Sequence, residues 1–243
     1  MRYVAKLIFL LACWLPIVSP QAVKPQHGRT QSAHLSLFEQ KTSRVVERFS
    51  TSGRTLVASV VDLAYTYQLP MAVEYADRDA TTRPLNLQFH NESVRGILEA
   101  IVRQAPQYHV SFSEGIVDIF VPKAREDTSN LLNKVIKNFS VVEMETRKAD
   151  FQLFCALAHE VNFSGCGGSL AVGQWEPRRI TLHLQSAKVY EVLNAIVAQN
   201  GKAIWTVTAT KLSNLQSGGI WYIYPLQQPF EATVSERLAR MQQ

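Results

Sequence analysis

Two stretches of this chain repeat one another at a fixed spacing, and this repeat constrains the fold more than any other feature of the sequence. Residues 85–104 read LNLQFHNESVRGILEAIVRQ, and residues 180–199 read ITLHLQSAKVYEVLNAIVAQ. Aligned without a gap, the stretches are 95 residues apart, which places Leu98 opposite Leu193 and aligns an identical Ala-Ile-Val triplet. Because strand alternation, helical stripe and triplet coincide in register, we interpret the chain as an internal duplication.

Each copy of the repeat predicts a strand followed by an amphipathic helix. Apolar residues alternate over 85–89 and over 180–184, as in a half-buried strand. Asn91 and Ser186 then occupy positions where a helix N-cap is expected. The helical stripes that follow are Val94, Ile97, Leu98, Ile101 and Val102, and Val189, Val192, Leu193, Ile196 and Val197. At ~2 kcal/mol per buried aliphatic side chain, these stripes predict core rather than a cofactor site.

The match extends more weakly to both sides of the repeat. Upstream helix stripes are predicted at Val57, Val60, Leu63, Ala64 and Tyr67, and at Phe151, Phe154, Leu157, Ala158 and Val161. Strands are predicted at 44–50, 71–75 and 139–145, with a glycine-rich, irregular counterpart at 163–172, and strand pairs at 108–121 and 203–224. The predicted fold is therefore α+β. It consists of two tandem small modules of strand-helix-strand-strand-helix-strand-strand order, with two helices packed on small sheets.

Composition shifts divide the chain around these modules. The predicted segments are a signal peptide (1–22), a flexible lead-in (23–42), a first module (43–122), a linker (123–137), a second module (138–226) and a C-terminal tail (227–243). Within the linker, Leu131 and Leu132 indicate a packed turn.

The first residues have the layout of a secretory signal peptide. Arg2 and Lys6 form a basic start, an apolar run follows, and small residues lead to an expected cleavage near Ala22. The run is too short to span a bilayer, which takes roughly 20 apolar residues. An uncleaved anchor and a lipoprotein signal ending at Cys13 are the alternatives. We therefore expect a protein of the periplasm or cell envelope, with outer-membrane association left open, that meets the membrane only through this segment.

Charge gives little support to nucleic-acid binding. The chain has 25 basic and 20 acidic residues, a net charge of +5. Removal of the signal peptide takes away two basic residues and leaves +3, with lysines and arginines scattered along the chain. A basic patch is the usual mark of a nucleic-acid-binding surface, so we expect no nucleic-acid partner.

The segment TLVASVVDLAYTYQLPMAVEY, followed by PLNLQFHNESVRGILEAIV, resembles the short N-terminal domain of secretins and TonB-dependent receptors. The second copy, RRITLHLQSAKVYEVLNAIV, is similar to the strand-and-helix core of that domain. The resemblance implies a compact periplasmic domain that docks to other proteins and brings no catalytic residues. The implied partners are envelope proteins: a secretin, a TonB-dependent receptor or a sigma-regulator component. Neither a barrel nor a channel domain follows, so we expect a docking module in duplicate.

Chemistry-bearing residues are few. The six histidines form no HExxH motif, and no paired CxxC, GxSxG or phosphate-loop motif occurs. Cys155 and His159 are i, i+4 on a predicted helix, and Cys166 and His183 complete the best metal set, which lacks supporting spacing. Cys155 and Cys166 either form a disulfide or leave a buried thiol at Cys155. We expect no catalytic residue, metal or cofactor. An envelope enzyme or metal protein using Cys155, His159 and Cys166, and a small-ligand or glycan binder between the modules, are the alternatives.

The last strand pair carries the candidate partner-binding residues. Tyr222 and Tyr224 alternate with Ile223, so both tyrosines are expected on one face, where they would form an outward aromatic patch. The unpaired backbone of the same strand is the second candidate surface. Trp205 is expected in the core with a satisfied N–H. The carboxylates of Glu74, Glu143 and Glu145 are expected to be solvated.

Overall fold

The structure, a computed structural model, describes residues 37–74, 82–164, 178–207 and 221–226, and these ranges have the mixed α+β character that the sequence predicts. The predicted signal peptide, the C-terminal tail, Cys166 and the glycine-rich stretch from residue 165 onward lie outside the described residues. Among the residues that are described, no helix is both long enough and apolar enough to cross a bilayer.

The first half contains every element predicted for a module, and two very short strands are added. Its elements are β1 (Val45–Ser50), β2 (Arg54–Thr55), α1 (Leu56–Tyr67), β3 (Met71–Glu74), β4 (Pro84–Leu85), β5 (Gln88–Ser93), α2 (Val94–Val102), β6 (His109–Ser113) and β7 (Ile116–Phe120). Residues 37–43 form a helical turn that precedes β1.

The second half contains the same series where it is described. Its elements are α3 (Pro122–Glu126), a 3₁₀ turn (Leu131–Asn133), β8 (Val135–Glu145), α4 (Thr146–Glu160), β9 (Arg179–Lys188), α5 (Val189–Asn200), β10 (Ala203–Val207) and β11 (Trp221–Pro225). The counterpart of β3 falls outside the described residues, so the complete order of this half stays a prediction.

The two halves have the same local geometry at the repeat. In each half, the first strand pairs antiparallel with the strand that precedes the repeat helix, α2 or α5, and this forms the ribbons β1–β5 and β8–β9. The first residue of that helix then donates its backbone N–H to the residue before the ribbon, from Val94 to Arg44 and from Val189 to Lys134, at 3.0 Å in both cases. Leu98 and Leu193 are both fully buried. The predicted equivalence of these leucines is therefore confirmed.

The helices α1 and α4 also end in the same way. Gln68 and Asn162 both adopt a left-handed conformation, with φ of 53° and 54°. The next residue donates its N–H back into the helix, from Leu69 to the carbonyl of Ala64 and from Phe163 to that of Ala158. A left-handed residue after the last turn satisfies carbonyls that the helix leaves unpaired, which fixes the direction in which the chain departs.

One mixed sheet joins the two halves. Its strand order is β11-β10-β3-β7-β6, so β3 of the first half lies between β7 of its own half and β10 of the second half. Both contacts of β3 are parallel, and Met71 pairs with Val117 on one side and with Ile204 on the other. The small sheets expected for separate modules are thus fused edge to edge, and the halves share one structural body.

The faces of this sheet supply two cores, and each core draws on strands of both halves. The face toward α1 and α2 contributes Met71, Val73, Val117, Ile119, Ile204 and Tyr224. The face toward α4 and α5 contributes Ala72, Ile116, Ala203, Trp205, Val207, Trp221 and Ile223. The described residues therefore form three layers, with the helices of the first half on one face and those of the second half on the other.

Several boundaries differ from the prediction for physical reasons. The helices begin at Val94 and Val189 rather than after Asn91 and Ser186, because β5 and β9 stay paired with their partner strands through those positions. In α2, the cap is Ser93, whose hydroxyl accepts a hydrogen bond from the N–H of Gly96. The buried side of α4 runs through Ala149, Asp150 and Leu153, which leaves Phe151 44% exposed instead of in the core.

The predicted linker and the described end of the predicted lead-in contain regular structure. Residues 123–137 contain most of α3, the 3₁₀ turn and the start of β8. Leu131 and Leu132 are buried, which confirms the packed turn. In residues 37–42, Phe38 is buried in the α1/α2 core, and Thr42 is also buried.

We expect Leu98→Ala and Leu193→Ala each to lower the free energy of unfolding by about 2–5 kcal/mol, because both side chains are fully buried. Since one sheet joins the halves, each variant should shift a single transition, with coincident far-UV circular dichroism and tryptophan fluorescence in a denaturant titration. Val142→Ala, at a position that is 63% exposed, is the control and should change stability by no more than about 0.5 kcal/mol. Two transitions, each sensitive to one substitution alone, would contradict the shared sheet.

Candidate functional site

A cluster of charged side chains lies at the carboxyl edge of the central strands. The strands β3, β7 and β10 run parallel, so their carboxyl ends meet at one edge of the sheet. The chain leaves β7 there and enters α3 at Pro122, and this turn places Arg125 beside Glu74 of β3 and Asp118 of β7. The site therefore depends on a segment that the sequence predicts to be a linker.

Arg125 binds both carboxylates with short hydrogen bonds. Its Nε and Nη2 donate to Oε1 of Glu74 at 2.8 and 2.6 Å, and Nη2 also donates to Oδ1 of Asp118 at 2.7 Å. Glu74 is 2% exposed and Asp118 is 5% exposed. Hydrogen bonds from a guanidinium are among the strongest in proteins, because the donor carries a full charge.

The cluster continues into the second half through α5. Asn194 donates from Nδ2 to Oδ2 of Asp118 at 3.0 Å, and its Oδ1 accepts a hydrogen bond from Nε1 of Trp205 at 2.8 Å. Asn194 thus satisfies one polar group from each half. Trp205 is fully buried with its N–H bonded, which confirms the prediction for this residue.

Two aromatic rings enclose the guanidinium of Arg125. Its Cζ lies 3.7 Å from the ring centroid of Phe120 in the first half and 4.1 Å from that of Tyr190 in the second half. Arginine stacks well on aromatic faces because its planar charge is weakly hydrated. Arg125 therefore makes its polar contacts with the first half and stacks on one ring from each half.

Burial sets the protonation of the cluster. It raises the pKa of Glu74 to about 7, against the charge and hydrogen bonds of Arg125, which lower it; the charge of Asp118 adds a smaller rise. For Arg125, burial opposes the charged form, but the hydrogen bond to Asp118 and the charge of Glu74 outweigh it, so its pKa lies above the ordinary value. One guanidinium binds two carboxylates, and burial outweighs its effect on the charge of Glu74.

The arrangement is suited to holding the halves together rather than to chemistry on a substrate. A catalytic acid or base needs a path to a reacting molecule, whereas both carboxylates are almost fully buried and the Arg125 side chain is 14% exposed. The sequence prediction that Glu74 is solvated is wrong. Glu74 follows the apolar run Met71–Val73, and nothing in this local sequence indicates that its carboxylate is buried. A buried charge is indicated at Asp118, because it is a lone carboxylate inside the apolar strand Ile116–Phe120.

The predicted aromatic patch is not formed as an exposed surface. Tyr222 and Tyr224 share a face, with ring centroids 6.2 Å apart, as the alternation predicts. That face, however, packs on the α1/α2 core, so Tyr224 is 7% exposed and Tyr222 is half-buried. Ile223 points to the opposite face and is fully buried. The sequence could not show this, because it does not reveal that the first half covers the back of β11.

The candidate metal-binding residues lie on different elements and differ in how exposed they are. Cys155 is half-buried in α4, and His159 is exposed in the last turn of that helix. His183 is exposed on β9, where its Nδ1 is 2.8 Å from the hydroxyl of Ser140. Within the described ranges, no group of three or more His, Cys, Asp and Glu side chains is arranged to hold a metal ion. The pairing of Cys155 with Cys166 cannot be placed, since Cys166 lies outside these ranges.

The end strand β6 is the best-described open edge of the sheet. It pairs with β7 on one side, and no strand of the described ranges pairs with its other side. Its sequence, HVSFS, contains no lysine, proline or carboxylate. Proteins commonly protect edge strands with such residues, because an uncovered row of backbone N–H and C=O groups can pair with another chain.

A scan against protein-family models, a search of curated proteins and a search of solved structures each found no match.

We expect Arg125→Met to lower the free energy of unfolding by about 3–5 kcal/mol at pH 8, because it leaves Glu74 and Asp118 buried without their counter-charge. Lys123→Met is the matched control, since Lys123 is exposed in the same helix and should change stability by at most about 0.5 kcal/mol. Urea titration of both variants measures the difference. Equal effects of the two substitutions would show that the buried carboxylates do not depend on Arg125.

Protonation of Glu74 should make stability depend on pH. Its pKa is higher in the folded chain, about 7, than its ordinary value of 4.5, so the folded state holds more protons across that interval. The contribution of Glu74 is therefore fully present below about pH 4.5 and is lost as the pH rises through 7. The stability of Glu74→Gln relative to the natural protein should rise over this window and then level off. Glu126→Gln, at an exposed position, should give a flat difference; a falling difference for Glu74→Gln would reverse the assignment.

Proposed function

We propose that this protein is an exported, non-enzymatic docking module of the bacterial envelope. It binds a secretin, a TonB-dependent receptor or a sigma-regulator component at the periplasmic side. The proposal starts from the resemblance of both halves to the short N-terminal domain of secretins and TonB-dependent receptors. It is supported by a surface in the first half that is built for strand addition, the open edge of β6.

The hairpin turn determines which backbone groups of β6 point outward. The loop residues Glu114 and Gly115 both have positive φ, 53° and 81°, as in a two-residue type I′ turn. In such a hairpin the two residues that flank the turn, Ser113 and Ile116, are hydrogen-bonded to each other. Along the ladder, hydrogen-bonded pairs then alternate with pairs that are not hydrogen-bonded. It follows that the N–H and C=O groups of Val110 and Phe112 face away from β7.

The surroundings of these outward groups also suit an added strand. Val110, Ser111 and Phe112 are half-buried, so the edge lies partly within the apolar surface of the first half. The guanidinium of Arg95 stacks 4.1 Å from the ring centroid of Phe112 and holds it in place beside the edge. A strand that pairs here gains main-chain hydrogen bonds for affinity and side-chain contacts with Phe112 for specificity.

The opposite end of the sheet is a less favourable docking site. Within the described ranges β11 pairs only with β10, so its outer side is also a candidate edge. Its side chains, however, belong to the two cores, and Ile223 is fully buried. A proline at Ile223 would damage the core as well as the edge. The edge of β6 offers a cleaner test of the proposal.

We expect Val110→Pro to abolish docking, since it removes an outward N–H and adds a ring at the edge while the bonds to β7 remain. The tagged, full-length protein would be cross-linked in the producing cells, and its covalent partners would be identified by mass spectrometry. The natural protein should yield a partner of one of the three named classes, and the yield should fall at least about tenfold for Val110→Pro.

Val110→Ala is the matched control, because it loses the same side-chain contacts but keeps the N–H. It should cross-link as well as the natural protein, and circular dichroism should show that both variants are folded. An unchanged yield for folded Val110→Pro would rule out docking through β6. Partners from none of the three classes would rule out the proposed role.

A further inference from the structure

The strand that corresponds to β6 in the second half already has a partner on its outer side. The 95-residue offset of the repeat places Val110 opposite Trp205 and Phe112 opposite Val207. In both strands these residues face the helices of their own half, as members of, or packed against, its core. Each strand also opens the final hairpin of its half. The strands β6 and β10 are therefore structural equivalents.

The outer side of β10 is occupied by β3. The two strands run parallel, and the register pairs Ile204 with Met71 and Val207 with Glu74. The sequence of β3 is Met-Ala-Val-Glu, and all four of its residues are buried. The molecule thus contains one example of what an edge of this type accepts, a short apolar strand that follows a helix and adds in parallel.

We propose that β6 binds, in parallel, a strand equivalent to β3 that is carried by another module of the same kind in the partner protein. This inference rests on the proposed docking function and names the chemistry of the partner. Transferred from β10 to β6, the internal register places the Met71-like residue opposite His109 and the Glu74-like residue opposite Phe112. The added strand bonds to the outward N–H and C=O groups of Val110 and Phe112.

The partner strand comes from a different protein rather than from a second copy of β3. In this chain both sides of β3 are already paired, with β7 and with β10. A second copy could release its β3 from β10 only by separating its own halves, which the hydrogen bond of Asn194 to Asp118 and the stacking of Arg125 on Tyr190 oppose. A module whose third strand has one free side meets the requirement without that loss.

The side chains of β6 that point away from α1 and α2 distinguish the proposed junction at β6 from the internal junction between β10 and β3. Ile204 of β10 is buried in the core of the first half, whereas its counterpart, His109, is exposed. The counterpart of fully buried Thr206 is half-buried Ser111. Less apolar surface is therefore available to an incoming module at β6 than at β10. The junction at β6 should be weaker and reversible, as suits a docking contact.

The test uses the full-length protein and a synthetic peptide, LPMAVEYAD, that reproduces residues 69–77. A nitroxide label is attached to either end of the peptide, and signal broadening is followed by NMR of the isotope-labelled protein. Parallel binding predicts that the amino-terminal label broadens the signal of His109 most strongly and the carboxyl-terminal label that of Ser113. A peptide of the same composition in scrambled order should bind at least about tenfold more weakly.

Val110→Pro should weaken peptide binding at least about tenfold, and Val110→Ala should leave it within about twofold. Absence of binding, binding in the opposite orientation, or binding that folded Val110→Pro leaves unchanged would each overturn the inference. The orientation measurement needs no variant, so it decides the question even if a substitution prevents folding. If the peptide fails but cross-linking to the partner still depends on Val110, docking through β6 stands and only the class of partner strand is wrong.

Discussion

The structure depends on one short strand whose two sides are both paired. The four residues of β3 bond in parallel to β7 on one side and to β10 on the other, and all four are buried. A module of under 100 residues buries a limited fraction of its surface and is only modestly stable alone. By sharing β3, each half covers an edge of the other and gives its helices a wider sheet to pack on. Among the described residues, the end strands β6 and β11 each pair with another strand on one side only.

The polar junction around Arg125 follows from this sharing. Once β10 lies beside β3, α5 crosses the strands of the first half and brings Asn194 to Asp118 and Tyr190 to Arg125. A buried ion pair adds little net stability, because the desolvation of its charges offsets their attraction, but an arrangement that breaks it is strongly disfavoured. The cluster therefore acts mainly against misaligned packing of the halves. Paired carboxylates beside an arginine also occur in catalytic sites, but here both carboxylates are buried where the two halves meet.

The sequence predicted elements well where side chains alone decide them. The stripes around Leu98 and Leu193 are buried as expected, and the α+β class is confirmed, because apolar periodicity reports directly on which side of a helix or strand leaves water. The sequence predicted element boundaries less well where a residue suits two kinds of element. Asn91 and Ser186 look like helix caps, but strand pairing extends through them. Phe151 fits the stripe of α4, but the sheet packs against a neighbouring face of that helix.

The candidate site was harder to predict than the fold. Tyr222 and Tyr224 share a face as the alternation indicates, but only the position of the first half reveals that this face is covered. Glu74 and Arg125 are 51 residues apart and lie in segments predicted to be a solvated strand face and a linker. No local pattern joins them, since their pairing depends on the turn by which α3 follows β7.

By itself, the sequence determined that the chain builds two similar halves around matching apolar stripes, and which side chains of the repeat are buried. Only the tertiary structure decided that β10 pairs with β3, that the charged cluster forms across the junction and that no strand of the described ranges pairs with the outer side of β6. The reason is physical. Apolar side chains record burial in the sequence, whereas strand edges pair through backbone N–H and C=O groups that nearly every residue carries, so the sequence contains little record of which edges meet.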